Sequence, residues 1–158
     1  MVTGAGGGIG RAVALALSEV GAKVLLVDLA EAACLQTQAL LQERGGEALC
    51  VKADVSQEAQ VQAYVAAAVQ AWGRIDVFMN NAAWQGDILS LVDYPVEMFD
   101  KVMNINVRGV FLGLKHVLPV MTAQGKGAVV NTASLGSFLA TRQLGPYTAS
   151  KHAVMGLT

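Results

Sequence analysis

Short, continuous apolar runs alternate with longer segments of helical period along the chain, and this alternation restricts the fold more than any other feature. Val24–Val27 is such a run and ends at Asp28, residues 75–80 and 128–132 are similar, and residues 48–53 follow the pattern less cleanly. Apolar runs without polar alternation are typical of strands that are covered on both faces. We therefore predict strands at these four positions and a further strand before the first glycine.

Amphipathic helices are predicted between the strands. The first two helical segments end at Gly21 and Gly73, since glycine is common just past a helix end. A third, longer segment carries the polar Asn106 within its apolar face. One face of each helix is expected to pack on the sheet, and the residues on these faces are Ile9, Ala12, Val13, Ala16, Leu17 and Val20; Val61, Tyr64, Val65, Ala68 and Trp72; and Phe99, Val102, Met103, Asn106, Val110, Leu114, Val117, Leu118 and Met121.

Strand–helix alternation with short connections indicates an α/β fold in which helices cover both faces of a parallel sheet. Right-handed crossovers leave few arrangements, and the one that we predict is a doubly wound Rossmann sheet with strand order 3-2-1-4-5. The 158 residues contain no repeat, linker or low-complexity segment, so residues 1–158 are expected to form a single domain.

Both ends of the sequence differ from those expected of a complete domain. Only Met1, Val2 and Thr3 precede the first glycine, whereas a strand usually has about five residues. At the other end the helical pattern still continues at Thr158. We therefore expect a fragment that is truncated at both ends and that turns over substrate poorly by itself.

Charge and composition exclude several classes of function. The formal net charge is −1 and the charges are scattered, which argues against nucleic acid as a partner. No apolar run approaches the roughly 18 residues of a membrane span and no signal peptide is recognisable, so we expect a cytoplasmic protein without a membrane segment. Cys34 and Cys50 are expected to be reduced thiols, and His116 and His152 lack neighbours at ligand spacing, so no metal site is predicted.

The segment Thr3–Gly10 is rich in glycine and joins the first strand to the first helix. The pyrophosphate of a dinucleotide needs bare backbone close by and a helix N-terminus aimed at it. Here Gly4 is expected to make the tight turn, Gly8 to allow close approach, and Gly10 to let helix and strand pack closely. A flexible loop would have a similar composition, but the position between a strand and a helix favours nucleotide binding.

Asp28 ends the second strand, 18 residues after Gly10. A carboxylate at this place can accept hydrogen bonds from both hydroxyls of the adenosine ribose, and it would repel a 2′-phosphate. No arginine or lysine stands inside the glycine loop to accommodate that phosphate. We therefore predict NAD rather than NADP as the cofactor, with helix capping by Asp28 as the alternative interpretation.

Tyr147 and Lys151 are four residues apart on a predicted helix whose first turn contains Pro146. At that spacing both side chains leave the helix on one face. A tyrosine hydroxyl can serve as a general acid or base, and an ammonium nearby favours its ionised form. The pair alone is weak evidence, but its place after the fifth strand makes it more specific.

Taken together, these motifs resemble those of the short-chain dehydrogenase/reductase family, and the resemblance runs the whole length of the chain. Ser134 precedes Tyr147 by 13 residues, which is the spacing familiar from that family. The motifs appear in the family's order: the Thr3–Gly10 loop, Asp54-Val55, Asn80-Asn81-Ala82-Ala83, Asn106-Val107-Arg108-Gly109, Asn131-Thr132-Ala133-Ser134, and Tyr147-Thr148-Ala149-Ser150-Lys151.

The resemblance implies hydride transfer between NAD(H) and a secondary alcohol or ketone. By the same resemblance, Tyr147 is the general acid/base, Lys151 activates it and anchors the ribose, Ser134 orients the substrate together with Tyr147, and Asn106 belongs to a proton relay. For Asn106, a structural amide that satisfies backbone groups is the alternative, and for Ser134, a hydroxyl that caps a turn. The implied cofactor contacts come from Thr3, Gly4, Gly8, Ile9, Gly10, Asp28, Asp54, Val55, Asn81, Ala82, Tyr147 and Lys151.

Other functions and features stay open at this point. An NADP-dependent 3-oxoacyl-type ketone reductase is one alternative, and a non-catalytic nucleotide-binding domain is another.

Ala83 replaces the usual glycine of the family and is expected to be tolerated unless its φ is positive. Trp84 either lines the substrate pocket or anchors its loop, and Gln143 and Leu144 are pocket candidates by position. Family members usually associate through their fourth and fifth helices, so we expect a homo-oligomer, either a dimer or a tetramer.

Overall fold

Five parallel strands form the sheet, in the order β3-β2-β1-β4-β5. The structure is a computed structural model that describes residues 1–158. This order is the predicted 3-2-1-4-5 arrangement, so the sequence-based fold is confirmed. The strands are β1 (Val2–Thr3), β2 (Val24–Asp28), β3 (Ala48–Lys52), β4 (Val77–Asn80) and β5 (Ala128–Asn131).

Helices cover both faces of the sheet. Short 3₁₀ turns at Leu91–Asp93 and Leu135–Ser137 lie in the connections after β4 and β5. The helices are α1 (Gly8–Glu19), α2 (Glu31–Glu43), α3 (Glu58–Trp72), α4 (Val96–Met103), α5 (Gly109–Gln124) and α6 (Gly145–Gly156). No helix is both long enough and apolar enough to cross a membrane.

Alternate residues of β2 point into two separate cores, which explains its continuous apolar sequence. Leu25 and Val27 pack with residues of α3 and α5, including the fully buried Val61 and Val117. Val24 and Leu26 lie on the opposite face, in a smaller core that α1 and α2 complete. A strand with helices on both faces has no solvent side on which polar residues could alternate.

The face that α1 turns to the sheet differs from the predicted one. Ile9 is 61% exposed and Val20 is 80% exposed, whereas Gly10 and Ala14 are buried. The prediction was wrong for Ile9, Ala12, Ala16 and Val20, which are exposed, and right for Val13 and Leu17, which pack against the smaller core. A β-carbon at Gly10 would overlap the main-chain oxygen of Gly4. The helix therefore approaches the glycine loop through its smallest side chains.

The long helical segment after β4 contains a local change of helix type. A π-helical turn at Asn104–Arg108 joins α4 to α5, and the buried Asn106 lies within it. A π-turn inserts a residue into the helix and turns a side chain out of the regular stripe, and such turns are frequent at functional sites. The polar interruption seen in the sequence therefore coincides with a real irregularity of the backbone.

Candidate active site

The sequence-predicted site residues lie where the strands end at their carboxyl termini, which is where ligands bind in open parallel sheets. The loops after β1, β2, β4 and β5 meet at this edge. Two sizeable cavities of the molecule lie elsewhere. One of about 590 Å³ contacts Met1 and Trp72, and one of about 620 Å³ contacts Glu58 and Phe111. We place the candidate site at the strand ends because the chemically capable side chains converge there.

The glycine loop presents an uncapped helix N-terminus. Gly4 has φ +64° and Gly8 has φ +50°, so both occupy the left-handed region that favours glycine. The N-cap residue of α1 is Gly7, and no side chain bonds to the first N–H groups of the helix. Free N–H groups and the helix dipole attract an anion to this place. Ile9 lies exposed at the same helix start.

Asp28 fastens the glycine loop to the end of β2. Its Oδ2 accepts a hydrogen bond from the N–H of Gly6 at 2.8 Å, and its Oδ1 accepts one from the N–H of Ala30 at 2.9 Å. Ala30 is the N-cap residue of α2, and its own side chain makes no capping bond. Asp28 therefore bonds both the glycine loop and the N-cap residue of α2, and its partly exposed carboxylate keeps further acceptor positions.

Arg11 is a contributor to this region that the sequence analysis missed. Its Nε donates to the hydroxyl of Thr37 at 2.9 Å, and its Nη2 donates to the main-chain oxygen of Gly6. The Thr37 hydroxyl in turn donates to the oxygen of Ala5 at 2.8 Å. Asp28 and Arg11 thus bind the main-chain N–H and the main-chain oxygen of Gly6, respectively. The only sequence signal was an arginine directly after Gly10.

Thr3 joins the loop after β1 to the loop after β4. It is fully buried, and its hydroxyl accepts hydrogen bonds from the N–H groups of Asn81 at 2.9 Å and Ala82 at 3.0 Å. The Asn81 side chain returns a bond of 3.0 Å to the oxygen of Thr3. These side chains position backbone at the site. Ala83 has no positive φ, which agrees with its expected tolerance.

Asp54 and Val55 form the turn after β3. The Asp54 carboxylate accepts bonds from the N–H of Ser56 at 2.9 Å and from its hydroxyl at 2.7 Å. Val55 is buried next to Gly109, where a β-carbon would come within 2.8 Å of its side chain. Asp54 therefore orders the turn internally, and Val55 packs the turn against the start of α5.

Asn106 uses its whole amide group on neighbouring elements. Its Oδ1 accepts from the N–H of Trp84 at 2.8 Å, and its Nδ2 donates to the oxygen of Trp84 at 2.8 Å and to the hydroxyl of Ser150 at 2.9 Å. The ammonium of Lys101 lies 4.4 Å from the centre of the Trp84 ring. In the loop after β4, Asn106 therefore binds the main chain of Trp84, and the Lys101 ammonium contacts its indole ring.

Ser134 and Tyr147 lie on either side of Gly136. A β-carbon built on Gly136 would be 3.6 Å from Oγ of Ser134 and 3.7 Å from Cε1 of Tyr147. Ser134 is the N-cap of the 3₁₀ turn, and its Oγ accepts from the N–H of Gly136 at 3.1 Å. As an acceptor there, the Ser134 hydroxyl keeps its proton for another partner.

Lys151 completes the cluster on α6. Its ammonium lies 5.7 Å from the centre of the Tyr147 ring and donates to the oxygen of Thr132 at 2.7 Å. The residue is 2% exposed, and burial lowers the pKa of its ammonium. The hydroxyl of Ser137 also donates to the oxygen of Lys151 at 2.9 Å, which fixes the main chain at this turn of the helix.

The donor set fits a dinucleotide with a nicotinamide ring. An uncapped helix N-terminus suits the pyrophosphate, the Asp28 carboxylate suits ribose hydroxyls, and Lys151 offers donors beside a tyrosine hydroxyl. The close approach of Gly10 to Gly4 keeps the loop backbone bare, because a side chain at Gly10 could not be accommodated.

Comparison with known proteins agrees with this arrangement. The family described as short chain dehydrogenase matches residues 1–158. The chain is 46% identical over 160 residues to levodione reductase of Leifsonia aquatica, covering 100% of this chain and 60% of that protein. It is 42% identical over 161 residues to 2-(R)-hydroxypropyl-CoM dehydrogenase of Xanthobacter autotrophicus, covering 100% of this chain and 64% of that protein.

Solved structures of related proteins have the same fold as this chain. The crystal structure of levodione reductase superposes with a TM-score of 0.96 at 47% identity, covering 99% of this chain and 61% of the other. The NAD⁺-bound structure of a xylitol dehydrogenase superposes with a TM-score of 0.97 at 40% identity, covering 99% of this chain and 60% of the other. The chain thus spans about three fifths of the length of these relatives.

Proposed function

The chain belongs to the short chain dehydrogenase family, and on that premise we propose that it binds NAD(H) and transfers a hydride between it and a secondary alcohol or ketone. The observation that carries the proposal is the grouping of Ser134, Tyr147 and Lys151 around Gly136 and the first turns of α6. A hydroxyl acid/base, a second hydroxyl and a buried ammonium are the groups that proton transfer to a carbonyl oxygen requires.

The residues that would hold the cofactor are divided between the two halves of the sheet edge. The free N–H groups at the start of α1, at Gly8 and Ile9, would bind the pyrophosphate, Asp28 would bind the adenosine ribose, and Lys151 would bind the nicotinamide ribose. Asp28 favours NAD because its negative charge opposes a 2′-phosphate. When bound, the cofactor supplies the hydride acceptor or donor.

The protein side of the reaction is then a proton transfer at the substrate oxygen. In alcohol oxidation the Tyr147 oxygen accepts the hydroxyl proton of the substrate, and in ketone reduction it returns that proton. The Lys151 ammonium, 5.7 Å from the centre of the Tyr147 ring, would stabilise negative charge on the Tyr147 oxygen during the transfer. Ser134 keeps a proton with which to orient the same substrate oxygen. We assign Asn106 a positioning role, since its amide is engaged with Trp84 and Ser150.

The surroundings of Ser134 and Tyr147 favour an uncharged substrate. Large apolar side chains are exposed in the loops after β4 and β5, and Leu91 comes within 3.4 Å of a β-carbon built on Gly145, two residues before Tyr147. These exposed side chains are Ile88, Leu91, Val92, Leu135, Phe138 and Leu139. An apolar ketone or alcohol would bury such surface on binding.

Association between copies of the chain is proposed through the helix that follows β4. Phe111 and Leu118 of α5 are 48% and 45% exposed on one helix surface, and Phe99 of α4 is also exposed, so the expectation that Phe99 and Leu118 pack on the sheet was wrong. Exposed apolar residues on one helix are typical of protein interfaces. Light scattering of the wild-type protein and of Phe111→Glu tests this: a mass that is unchanged by the substitution argues against this interface.

The test of the proposed function is cofactor reduction by the purified gene product that carries these residues. It is assayed with a panel of secondary alcohols, with NAD and NADP in parallel, and in reverse with the matching ketones. We expect NAD-linked turnover that is lost in Tyr147→Phe. Turnover with NADP alone would favour the 3-oxoacyl-type reductase. Tight cofactor binding without any turnover would favour the non-catalytic nucleotide-binding domain.

A further inference from the structure

Ser150 connects the candidate catalytic helix to the rest of the site. It is fully buried, and its hydroxyl lies 2.7 Å from the main-chain oxygen of Tyr147 and 2.9 Å from Nδ2 of Asn106. Asn106 is also fully buried and holds both main-chain polar groups of Trp84 at 2.8 Å. A continuous set of hydrogen bonds therefore runs from the loop after β4, through the π-turn, to the main chain of Tyr147.

Only one direction of donation satisfies all of these contacts. The N–H of Trp84 must meet the Asn106 oxygen, and the oxygen of Trp84 must meet the Asn106 amide nitrogen. Nδ2 of Asn106 therefore donates to the Ser150 hydroxyl as well. Because Ser150 has a single hydroxyl proton and accepts from Asn106, it donates that proton to the oxygen of Tyr147. Every donor in this set has its acceptor.

The adjacent hydroxyl shows that burial alone does not produce such a link. Oγ of Thr148 is also buried on α6, one residue after Tyr147, and it has no hydrogen-bond partner. Ser150 is bonded because Asn106 approaches it from the π-turn of the neighbouring helix. Thr148 thus provides a matched control, with a buried hydroxyl on the same helix that makes no connection.

We propose that Ser150 is a positioning residue that, with Asn106, sets the place of the Tyr147 hydroxyl by holding the main chain of Tyr147 against the Trp84 loop. This inference rests on the proposed role of Tyr147 as acid/base. Tyr147 is the third residue of α6, in the turn whose N–H groups lack partners within the helix. An anchor on its carbonyl therefore limits how far the ring can shift, and misplacement of about 1 Å can lower a rate by about 10²-fold.

The experiment compares Ser150→Ala, Ser150→Cys, Ser150→Thr and Thr148→Val in the natural gene product. We expect Ser150→Ala and Ser150→Cys to lower kcat about tenfold or more, with KM for NAD within about twofold of wild type. Cys keeps the volume but is a weak hydrogen-bond partner. Thr retains the hydroxyl and should restore most of kcat, and Thr148→Val should leave kcat unchanged. A kcat within twofold of wild type in folded Ser150→Ala would overturn the proposal.

A double-mutant comparison separates positioning from a general loss of structure. Positioning of the Tyr147 hydroxyl has no effect when that hydroxyl is absent, so Ser150→Ala should not lower the residual kcat of Tyr147→Phe further. An equal loss in both backgrounds would contradict the inference while leaving the proposed function intact.

Hydrogen exchange tests the link without turnover. Because Ser150 supports the amide that binds Trp84, we expect the Trp84 N–H to exchange at least about tenfold faster in Ser150→Ala than in Thr148→Val. Unchanged Trp84 exchange would refute the link. If the wild-type protein oxidises no alcohol but Trp84 exchange responds as expected, the proposed function fails and the structural link stands.

Discussion

The ammonium of Lys151 lies 5.7 Å from the centre of the Tyr147 ring and donates a hydrogen bond to the main-chain oxygen of Thr132, at 2.7 Å. The positive charge is therefore held beside the tyrosine by the loop after β5 rather than by the tyrosine itself. A charge fixed in this way stays in place whether the Tyr147 hydroxyl is protonated or ionised. The arrangement suits the proposed role of Tyr147, which would gain and lose a proton in every cycle.

Tyr147→Phe should lower turnover by about 10²-fold or more, because it removes the proton-transferring hydroxyl and leaves the ring that packs. NAD affinity, measured by calorimetry, should change little. Tyr94→Phe is the matched control, since the Tyr94 hydroxyl is buried without a partner. Near-normal turnover in Tyr147→Phe would mean that another group is the acid/base.

Lys151→Met should lower both turnover and NAD affinity, because it removes the charge beside Tyr147 and the proposed ribose contact.

The buried Lys151 also makes the free energy of unfolding of the wild-type protein depend on pH. Burial lowers the pKa of Lys151 below its ordinary value of 10.5. Below the lowered pKa, the lysine is charged in both the folded and unfolded states, and its desolvation opposes folding. Between that pKa and 10.5, only the unfolded lysine is protonated, so the free energy of unfolding rises with pH.

The measurement is urea unfolding of the wild-type protein and Lys151→Met at a series of pH values. Relative to the variant, the wild-type protein should gain free energy of unfolding as the pH approaches 10.5, with a constant difference at lower pH. A difference that stays constant over the whole range would show that Lys151 has an unperturbed pKa in the folded protein.

Strand order could be predicted from the sequence because it follows from local pattern, and so could the sheet edge at which the candidate site residues lie. The run Val24–Val27 and the helical period determine which elements form, and parallel strands bring their carboxyl ends to one edge. The packing face of α1 could not be read in the same way. It depends on how closely Gly10 approaches Gly4, which a hydrophobicity pattern does not encode. The same pattern therefore assigned Ile9 and Val20 to the wrong face.

The side-chain links within the site were also beyond sequence reasoning. Arg11 meets Gly6, and Ser150 meets Asn106, only after separate elements have packed together. Asn106 was recognisable as a polar interruption, but its partner Trp84 lies 22 residues away and bonds through its main chain. Main-chain groups are the same at every position, so no residue type marks them in a sequence.

Gly10→Ala should disrupt the glycine loop, because the added methyl would overlap the oxygen of Gly4. Overpacking of this kind usually costs about 1–3 kcal/mol of unfolding free energy, and contact with backbone leaves little room for relaxation. We also expect weaker NAD binding. Gly7→Ala is the matched control, since its β-carbon would meet nothing within 4 Å and its φ of −166° suits any residue. Equal melting temperatures of the two variants would contradict this account.

Cofactor choice should depend on the charge of Asp28, which has two separable effects. Its carboxylate orders the loop through the N–H groups of Gly6 and Ala30, and its charge opposes a 2′-phosphate. Loss of loop order weakens NAD and NADP alike, whereas loss of charge changes the ratio of their dissociation constants. We expect the wild-type protein to prefer NAD at least about tenfold, or about 1.4 kcal/mol. Asp28→Ala and Asp28→Asn should both reduce that ratio.

Glu31→Gln is the control for this prediction. Glu31 is an exposed carboxylate at the start of α2 whose oxygen lies 3.8 Å from the Lys52 ammonium, and it makes no contact with the glycine loop. Its neutralisation should leave the NADP-to-NAD ratio unchanged. Dissociation constants of both cofactors for all four proteins, measured at one ionic strength because salt screens charge, give the ratios directly. Tighter binding of NADP than NAD by the wild-type protein, or an equal shift in ratio for Glu31→Gln, would show that Asp28 does not set the preference.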